Sequence, residues 1–382
     1  MKVTGEWISS AATQVVCRIL EDAGFQALMV GGCVRNALMG VPVNDIDIAT
    51  DARPEIIMNL AEKAGHKAVP TGIEHGTVTV IVMGVPFEIT TFRNDVQTDG
   101  RHAVVAFSDD VESDARRRDF TMNALYARHD GTVIDPIGGL PDVKERRVRF
   151  IDDPEARIKE DYLRILRFFR FFAHYGDPNE GFDADGLAAC AALSDGISGL
   201  SRERVGAETK KLLGAKTVAP AVAAMRQTGV LAQILPGGTD RALAPLEYVE
   251  EQIGLAPDPV RRLAVLGGEA VDQSLRLSRQ EAKRLALLRE EAMETAPPEV
   301  LGYRHGLKTG KDILAIRHAL LETLPTCSDI EAVEKGSHAV FPIKADDLMP
   351  GLSGQALGAR LKELEERWIA SGFQLGREQL LG

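Results

Sequence analysis

The hydrophobic pattern of this chain changes at about residue 141, and this change constrains its fold more than any other feature. Before it, Asp45–Thr50 alternates polar and apolar residues, and the β-branched segments Thr77–Met83 and Val85–Thr91 flank Gly84. These patterns predict strands, the last two joined as a hairpin. After it, Arg157–Ala173 and six further segments carry the spacing of amphipathic helices. Strands followed by helices predict an α+β fold with separate domains.

Length and composition exclude several classes of protein. At roughly 100–200 residues per domain, 382 residues predict two to four domains, and the 45% hydrophobic and 26% charged residues are typical of globular proteins. No stretch approaches the roughly 18 apolar residues of a membrane span. The four cysteines form no Cys-x-x-Cys pair and the N-terminus lacks a signal pattern, which favours a reduced, cytoplasmic protein without structural zinc. The net charge of −11 argues against a nonspecific nucleic-acid coat.

Two aspartates, Asp45 and Asp47, stand two residues apart on a predicted strand. Alternate residues of a strand point to the same side, so the two carboxylates should lie side by side. Such carboxylates repel each other unless a cation lies between them, and hard divalent ions such as Mg²⁺ prefer oxygen ligands. An isolated Asp-x-Asp is more often a polar strand edge, so the interpretation depends on the neighbouring residues.

Three neighbouring features favour a metal-dependent transferase. Gly31 and Gly32 precede the aspartate pair, and a Gly-Gly turn that opens a helix exposes backbone N–H groups that bind phosphate. Arg35 on the first turn of that helix would add a charge-assisted contact. Glu88, on the second hairpin strand, should point away from its two apolar neighbours. A phosphate-binding turn with two or three carboxylates is the set of groups that metal-assisted phosphoryl or nucleotidyl transfer uses.

The motifs between about residues 25 and 215 resemble, in order, those of the class II tRNA nucleotidyltransferase and poly(A) polymerase family. They are VGGCVR at 30–35, DIDIAT at 45–50, FEITTFR at 87–93, RRDFTMNA at 117–124, Asp135 with Gly138 and Gly139, EDYLRILR at 160–167, and RERV at 202–205 with KLL at 211–213. The family usually has aspartate after the first motif arginine, where this chain has Asn36.

The resemblance implies a fold, an activity and partners. It implies a polymerase-β-like head with a mixed β-sheet over 1–140, followed by an all-helical neck over 141–235, body over 236–340 and tail over 341–382. It implies transfer of CMP, CMP and AMP from CTP and ATP to the 3′ end of tRNA, with release of pyrophosphate and without a nucleic-acid template. Two Mg²⁺ ions are expected as cofactors. Neither DNA nor a membrane is expected as a partner, and the oligomeric state stays open.

The resemblance also assigns roles to single residues. Asp45 and Asp47 would bind the metal ions, and Glu88 would be a third catalytic carboxylate. Nucleotide contacts are implied for Gly31, Gly32, Arg35, Arg117, Arg118, Asp119, Glu160, Asp161, Arg164, Arg167 and Arg170. Asp161 and Arg164 would face the base edge of CTP or ATP from one helix, and Glu160 would orient Arg164. A wrong base would leave these polar groups unpaired, which is costly.

Other functions stay open from the sequence alone. Poly(A) polymerases share this head, and enzymes that add only CC or only A differ outside the catalytic pair. The segment GIEHGTVTV at 72–80 resembles that of CCA-adding members, which favours full CCA addition. An inactive RNA-binding protein is the alternative from another class, and the intact aspartate pair argues against it. Residues 101–170 carry 14 basic and 14 acidic residues, so the acidic excess lies elsewhere and RNA binding should be local.

Overall fold

A computed structural model describes residues 1–99, 102–349 and 351–382 of the chain, and these form two compact units. Unit 1 is Met1–Pro236 and unit 2 is Gly237–Gly382. Pro350, in the predicted tail, lies outside the described residues, as do Gly100 and Arg101.

Unit 1 is built around a mixed β-sheet. The strands of this unit are β1 (Leu28–Val30), β2 (Asp47–Thr50), β3 (Lys67–Gly72), β4 (Thr77–Val82), β5 (Val85–Thr91), β6 (Arg93–Asp99), β7 (His102–Phe107), β8 (Tyr126–Ala127) and β9 (Val133–Ile134). Seven of them lie in the order β3-β4-β5-β2-β1-β8-β9, while β6 pairs with β7 alone. β2 and β5 run parallel and the other pairs antiparallel. The predicted hairpin and the mixed sheet of the head are therefore confirmed.

Twelve α-helices of unit 1 surround and follow this sheet in the described residues. They are α1 (Glu6–Ser9), α2 (Ala11–Glu21), α3 (Gly32–Met39), α4 (Pro54–Lys63), α5 (Val111–Arg116), α6 (Leu140–Lys144), α7 (Pro154–Glu160), α8 (Leu163–Tyr175), α9 (Ala184–Ala192), α10 (Arg202–Leu213), α11 (Ala219–Gln227) and α12 (Val230–Ile234). Short 3₁₀ turns cover Ile73–His75, Thr121–Asn123 and Ser194–Gly199. The α+β class with helices after the sheet is thus confirmed.

An aromatic cluster fastens α8 to the sheet-bearing part of unit 1. Phe120 packs 5.0 Å from Phe150 and 4.8 Å from Phe171, measured between ring centroids, and Phe150 stacks on Phe168 at 5.3 Å. All four rings are buried. Because one side of α8 is held in this apolar cluster, its polar side is fixed relative to the strands.

The prediction of one continuous helix over Arg157–Ala173 is wrong. The helix α7 ends at Glu160, and Asp161 has extended backbone angles, φ −154° and ψ 106°. The Asp161 carboxylate accepts a hydrogen bond from the Leu163 N–H at 3.1 Å, and its carbonyl accepts one from the Arg164 N–H at 3.0 Å. Aspartate satisfies the first N–H groups of a helix well, so a new helix starts here although the hydrophobic spacing runs on.

Unit 2 is helical throughout its described residues. Its helices are α13 (Leu243–Gln252), α14 (Pro259–Leu266), α15 (Val271–Ser274), α16 (Arg279–Met293), α17 (Pro298–Leu320), α18 (Cys327–Ser337), α19 (Gly354–Ala370) and α20 (Arg377–Leu381), with a 3₁₀ turn at Ala345–Asp347. Ser278 and Glu281 form a capping box at the start of α16. The α17 helix is interrupted at Gly306, where φ is 76°.

The interior of unit 2 contains two buried arginines that are paired with carboxylates. Arg261 and Arg262 are buried and paired with the buried carboxylates of Glu250 and, for Arg261, Asp312. Buried charges are tolerated when they are paired in this way.

None of the helices in the described parts of the chain has the length and apolar character that a membrane crossing requires.

Candidate active site

Asp45 and Asp47 line a cleft beside the β4–β5 hairpin. The cleft has a volume of about 650 Å³, and its walls include Thr79, Phe87 and Glu88. Asp47 is the first residue of β2 and lies in register with Glu88 of the parallel strand β5, so both carboxylates leave the same face of the sheet. The strand begins at Asp47, and Asp45 precedes it, whereas the sequence pattern predicts a strand from Asp45.

Burial and neighbouring carboxylates disfavour the ionisation of Asp47. Asp47 is open to the cleft, yet the surrounding protein removes part of its hydration, and this burial, with the charges of Glu88 and Asp45, raises the pKa of Asp47 above its ordinary value. The charge of Arg118 opposes the shift. A cation near these groups would relieve their repulsion.

The cleft does not form a complete metal site by itself. Among residues 1–99, 102–349 and 351–382, no group of three or more His, Cys, Asp or Glu side chains could hold a metal ion alone. Magnesium sites commonly use one or two carboxylates together with substrate phosphates and water. The arrangement at Asp45 and Asp47 therefore fits a metal that arrives with a nucleotide.

Gly31 forms the turn between β1 and α3. Its φ of 71° lies in the left-handed region that favours glycine. A Cβ atom at this position would lie 3.4 Å from Arg118 Nη1 and 3.5 Å from the backbone oxygen of Asn123. Gly32 is the first residue of α3, and a Cβ atom there would lie 3.7 Å from Arg35 Nη2. The structure thus brings the two glycines together with two of the predicted arginines.

Arg35 is buried, with 5% of its surface exposed. Its Nη1 donates to Asn123 Oδ1 at 2.8 Å, and its Nε and Nη2 donate to Asn36 Oδ1 at 3.2 and 2.9 Å. Asn36 therefore holds the arginine although the family usually has aspartate there. The guanidinium carbon lies 3.8 Å from the centre of the Tyr175 ring at the end of α8. Burial lowers the pKa of Arg35 from its ordinary value.

Asp114 anchors both arginines of the 117–118 pair. Its buried carboxylate accepts from Arg117 Nε at 2.7 Å, from Arg118 Nη2 at 3.1 Å and from the Tyr126 hydroxyl at 2.7 Å. Burial alone would raise the pKa of Asp114, but the charges of Arg118 and Arg117 and the Tyr126 hydrogen bond lower it to about 2. The carboxylate is therefore ionised and fixes both guanidinium groups, of which that of Arg118 lies beside the glycine turn.

Asp119, Arg167 and Arg170 are held in ion pairs within unit 1. The buried carboxylate of Asp119 accepts from Arg167 Nε at 2.7 Å, and these contacts lower its pKa to about 2 although burial would raise it. Arg170 pairs with the buried carboxylate of Glu208 on α10. Side-chain exposure is 30% for Arg167 and 15% for Arg170. Both arginines are therefore paired with carboxylates of the protein itself, whether or not they also contact a nucleotide.

Glu160, Asp161 and Arg164 lie where α7 meets α8. Arg164 pairs with the Glu160 carboxylate, and its Nη1 also donates to the backbone oxygen of Arg157 at 2.8 Å. Asp161 pairs with Arg204 of α10 at 2.6 Å. Of the two predicted base-reading residues, Asp161 thus lies at the break between the helices and Arg164 in the first turn of α8, each held by its own partner. The predicted contact between Glu160 and Arg164 is present.

Several residues that complete the site carry no prediction from the sequence. They are Asp114, Asn123, Arg157 and Tyr175. The sequence also does not predict that Arg204 is the partner of Asp161. Asp114 stands three and four residues before Arg117 and Arg118, a spacing that indicates helical ion pairs, so this anchor was accessible from the sequence. Asn123 and Tyr175 act across long stretches of chain and left no such signal.

Two family profiles match the chain. That described as "Poly A polymerase head domain" matches residues 27–149, and that described as "Probable RNA and SrmB- binding site of polymerase A" matches residues 182–241. The human protein named "CCA tRNA nucleotidyltransferase 1, mitochondrial" is 34% identical over 381 residues, which cover 92% of this chain and 85% of the human protein. This chain belongs to the CCA tRNA nucleotidyltransferase family.

Other members of the CCA tRNA nucleotidyltransferase family match part or all of the chain. A protein named "CCA-adding enzyme" from Leuconostoc mesenteroides is 42% identical over 215 residues, or 56% of this chain and 52% of that protein. The crystal structure of the Bacillus stearothermophilus CCA-adding enzyme in complex with CTP superposes with a TM-score of 0.74 at 25% identity, covering 94% of this chain and 92% of that one. A Thermotoga maritima CCA-adding enzyme, at 19% identity and a TM-score of 0.69, shares the fold.

Membership in this family makes the chain a nucleotidyltransferase. The geometry described above is suited to that chemistry, because unit 1 contains the cleft carboxylates, the glycine turn at the start of α3 and the anchored arginines. The family match over 27–149 covers the carboxylates, the glycine turn and the Arg117–Arg118 pair.

Proposed function

We propose that this chain adds CMP, CMP and AMP to the 3′ end of tRNA, using CTP and ATP and releasing pyrophosphate. The observation that carries the proposal is the similarity to a CCA tRNA nucleotidyltransferase over 92% of this chain, together with the cleft of Asp45, Asp47 and Glu88. In the reaction, the terminal hydroxyl oxygen of tRNA forms a bond to the α-phosphorus, the bond from that phosphorus to the pyrophosphate oxygen breaks, and the hydroxyl loses its proton.

Asp45 and Asp47 would hold Mg²⁺, for which two ions are proposed. The raised pKa of Asp47 supports this assignment, because carboxylates that repel one another in a partly desolvated cleft gain from a divalent cation. The chemistry that Mg²⁺ supplies in such a site is polarisation of the phosphates and a lower pKa for the attacking hydroxyl. Glu88, in register with Asp47, is proposed as the third catalytic carboxylate.

The glycine turn and the anchored arginines would hold the triphosphate. The backbone N–H groups at the start of α3 and the positive end of its helix dipole favour negative charge. Arg118, fixed by Asp114 and 3.4 Å from the Cβ position of Gly31, would contact the phosphates, with Arg117 beside it. Arg35, which is buried, would act mainly by fixing the start of α3 and Asn123.

Asp161 and Arg164 would read the base. Arg164 offers hydrogen-bond donors and Asp161 acceptors, and the ion pairs with Glu160 and Arg204 hold the two side chains in place. A cytosine or adenine edge that complements these donors and acceptors would be accepted, whereas another base would match them less well. We propose that Asp119 contacts the nucleotide and that Arg167 and Arg170 approach the nucleotide or the primer, with Asp119 joining Arg167 to the segment of the Arg117–Arg118 pair.

Incorporation assays test the proposal. The purified protein is incubated with Mg²⁺ and a tRNA that lacks its 3′ CCA, with CTP alone, ATP alone, or both. We expect two added residues with CTP alone, three with both, and none with UTP or GTP. Incorporation that stops after CC with both nucleotides, or that requires a tRNA already ending in CC, would replace this proposal by a partial activity. No incorporation by the folded wild-type protein would refute it.

Poly(A) synthesis is the second candidate, favoured by the poly(A) polymerase descriptions of both matching profiles. The same assay with an unrelated RNA and ATP separates the two functions. Long A tails on that RNA would favour the polymerase, and a tRNA-restricted product of three residues would exclude it as the main activity.

The domain division and the compartment are also proposals. We propose a catalytic head over 1–140, a neck over 141–235, a body over 236–340 and a tail over 341–382. Cytoplasmic location is favoured by Cys17, Cys33, Cys190 and Cys327, which are free thiols in this structure. Localisation of a tagged chain in its own cell would test this, since the human relative's name includes "mitochondrial".

A further inference from the structure

Arg157 on α7 joins two parts of the site that the sequence presents as separate motifs. Its Nη2 donates to the backbone oxygens of both Arg117 and Arg118, about forty positions earlier in the chain. Its Nη1 pairs with the carboxylate of Glu160 on its own helix. The side chain is 9% exposed, so these contacts lie inside the protein and not on its surface.

The same contacts lead directly to Arg164. The Glu160 oxygen that binds Arg157 is also the oxygen that binds Arg164. Arg164 in turn donates to the backbone oxygen of Arg157 at 2.8 Å and to that of Arg117 at 3.4 Å. Arg157, Glu160 and Arg164 therefore form one hydrogen-bonded group that is seated on the carbonyls of the Arg117–Arg118 segment.

We propose that Arg157 is a positioning residue for nucleotide selection, which sets the place of Arg164 relative to the arginines that hold the triphosphate. This inference rests on the proposed function, because it takes Arg164 as a base-reading group and Arg118 as a phosphate-binding group. A nucleotide bound to both groups has a fixed length between its base edge and its phosphates. An enzyme without a nucleic-acid template selects the base only if its reading groups stay at that distance from the phosphate site.

Arginine is suited to this position and lysine is not. The planar guanidinium donates in several fixed directions, so one side chain can hold two carbonyl oxygens and a carboxylate at once. A lysine ammonium keeps the charge and much of the length but concentrates its donors on a single nitrogen. It can retain the ion pair with Glu160, but it would not hold both carbonyls in the same geometry.

The experiment compares Arg157→Lys with a matched control, Arg289→Lys. Arg289 of α16 also donates to backbone carbonyls, those of Leu263, Gly267 and Gly268, but it belongs to unit 2. Both variants lose a guanidinium that bridges carbonyls and keep a positive charge. The measurements are kcat and KM for CTP, ATP, UTP and GTP on tRNA lacking CCA, binding of CTP and UTP to the protein without tRNA, and the thermal unfolding temperature.

We expect Arg157→Lys to lower the ratio of kcat/KM for CTP to that for UTP by about tenfold or more, through misincorporation as well as a higher KM for CTP. The ratio of CTP to UTP affinity should fall in parallel, while Arg289→Lys should leave both ratios at the wild-type value. A loss of thermal stability alone would not produce such a change in ratio, so the ratio separates positioning from a purely structural role.

A variant that fails to fold is replaced by Arg157→Gln, which keeps a hydrogen-bond donor to the carbonyls without the charge, and the same ratios are expected to fall. If the wild-type enzyme is active and the folded Arg157 variant keeps the wild-type CTP-to-UTP ratios of kcat/KM and affinity, this inference is overturned. The proposed function then still stands. A folded wild-type protein that incorporates no nucleotide would overturn both.

Discussion

The guanidinium of Arg35 stacks on the ring of Tyr175, with 3.8 Å between the guanidinium carbon and the ring centre. Arg35 follows the glycine turn on α3, and Tyr175 is the last residue of α8, so the contact spans 140 residues of chain. A buried cation over an aromatic face is worth about 2 kcal/mol when it is desolvated. This contact therefore ties the start of α3, where we propose that phosphates bind, to the helix that carries Arg164, which we propose reads the base.

Tyr175→Ala should weaken nucleotide binding. Removing the ring takes away the nearer of two aromatic faces at Arg35, the other being Phe171 at 5.2 Å from the guanidinium carbon. We expect CTP affinity to fall by about 1–2 kcal/mol, or roughly five- to thirtyfold. Tyr175→Phe keeps the ring face and serves as the control, with affinity within about twofold of the wild type. Titration of the protein with CTP measures both. Equal loss in the two variants would show that the hydroxyl matters and not the stack.

Asp45→Asn and Asp47→Asn should each abolish nucleotide incorporation, by about a thousandfold or more, because each removes a proposed metal ligand. Both positions are exposed to the cleft, so unfolding temperature and tRNA binding should stay near the wild-type values. The measurement is single-turnover CMP incorporation, with Asp51→Asn as a nearby aspartate outside the cleft. Full activity in either cleft variant would remove that residue from the metal site.

Asp114→Asn should destabilise the protein in a pH-dependent way. The pKa of Asp114 is lowered from 3.8 to about 2 in the folded state, so folding favours its ionised form. The resulting stabilisation, about 2 kcal/mol, is fully present above roughly pH 5 and is lost as the pH falls through the folded value. Urea unfolding at pH 7 and pH 3 measures it, and the difference between wild type and variant should shrink by about half at pH 3.

The control for this titration is Asp109→Asn. The Asp109 side chain is 78% exposed in its pair with Arg53, so its replacement should change stability by no more than about 0.5 kcal/mol at either pH. A pH-independent loss in Asp114→Asn would mean that packing, and not the charge of this carboxylate, stabilises the fold.

Asp161→Ala and Arg164→Ala should lose the choice between nucleotides more than they lose folding. Arg164 is held by Glu160, and Asp161 by Arg204, so both side chains lie in a fixed place for a base edge. We expect the preference for CTP over UTP to fall by about tenfold to a hundredfold, as measured by competition between labelled nucleotides. Unchanged preference in both variants would contradict the assignment of a protein-side template.

Gly336→Ala should destabilise unit 2 without changing nucleotide choice. A Cβ atom at Gly336 would lie 1.8 Å from the backbone oxygen of Glu299, where α18 packs closely on α17. Two helix backbones would have to separate, which costs about 1–3 kcal/mol or more. Gly358→Ala in α19 is the matched control, because nothing lies within 4 Å of its Cβ position. That variant should gain about 0.5–1 kcal/mol, as measured by thermal unfolding.

The parts of the site formed by residues close together in the chain could be predicted from residue patterns. A strand that carries Asp47 and a hairpin that carries Glu88 both follow from alternation with period two, because that period assigns each side chain to one face of a sheet. The glycine turn before α3 follows from the need for a positive φ at Gly31. The separation of a sheet-bearing part from a helical part also follows from the change in hydrophobic period.

The break between α7 and α8 at Asp161 is a feature that such patterns could not predict. The apolar spacing of 157–173 fits one helix, because the spacing records which residues are buried and not whether the backbone is continuous. Its polar contacts decide the break: the carboxylate accepts from the Leu163 N–H and pairs with Arg204, more than forty residues later. Periodicity carries no information about a partner so distant in the chain.

The sequence by itself determined the class of fold, the carboxylates of the cleft and the family motifs, because each depends on residues close together in the chain. Only the tertiary structure decided how these motifs are fastened together. Asp114 holds the Arg117–Arg118 pair, Tyr175 stacks on Arg35, and Arg157 joins the backbone carbonyls of that arginine pair to Arg164. The last two contacts join residues far apart in sequence, and their geometry depends on the packing of α7 and α8 against the sheet-bearing part of unit 1.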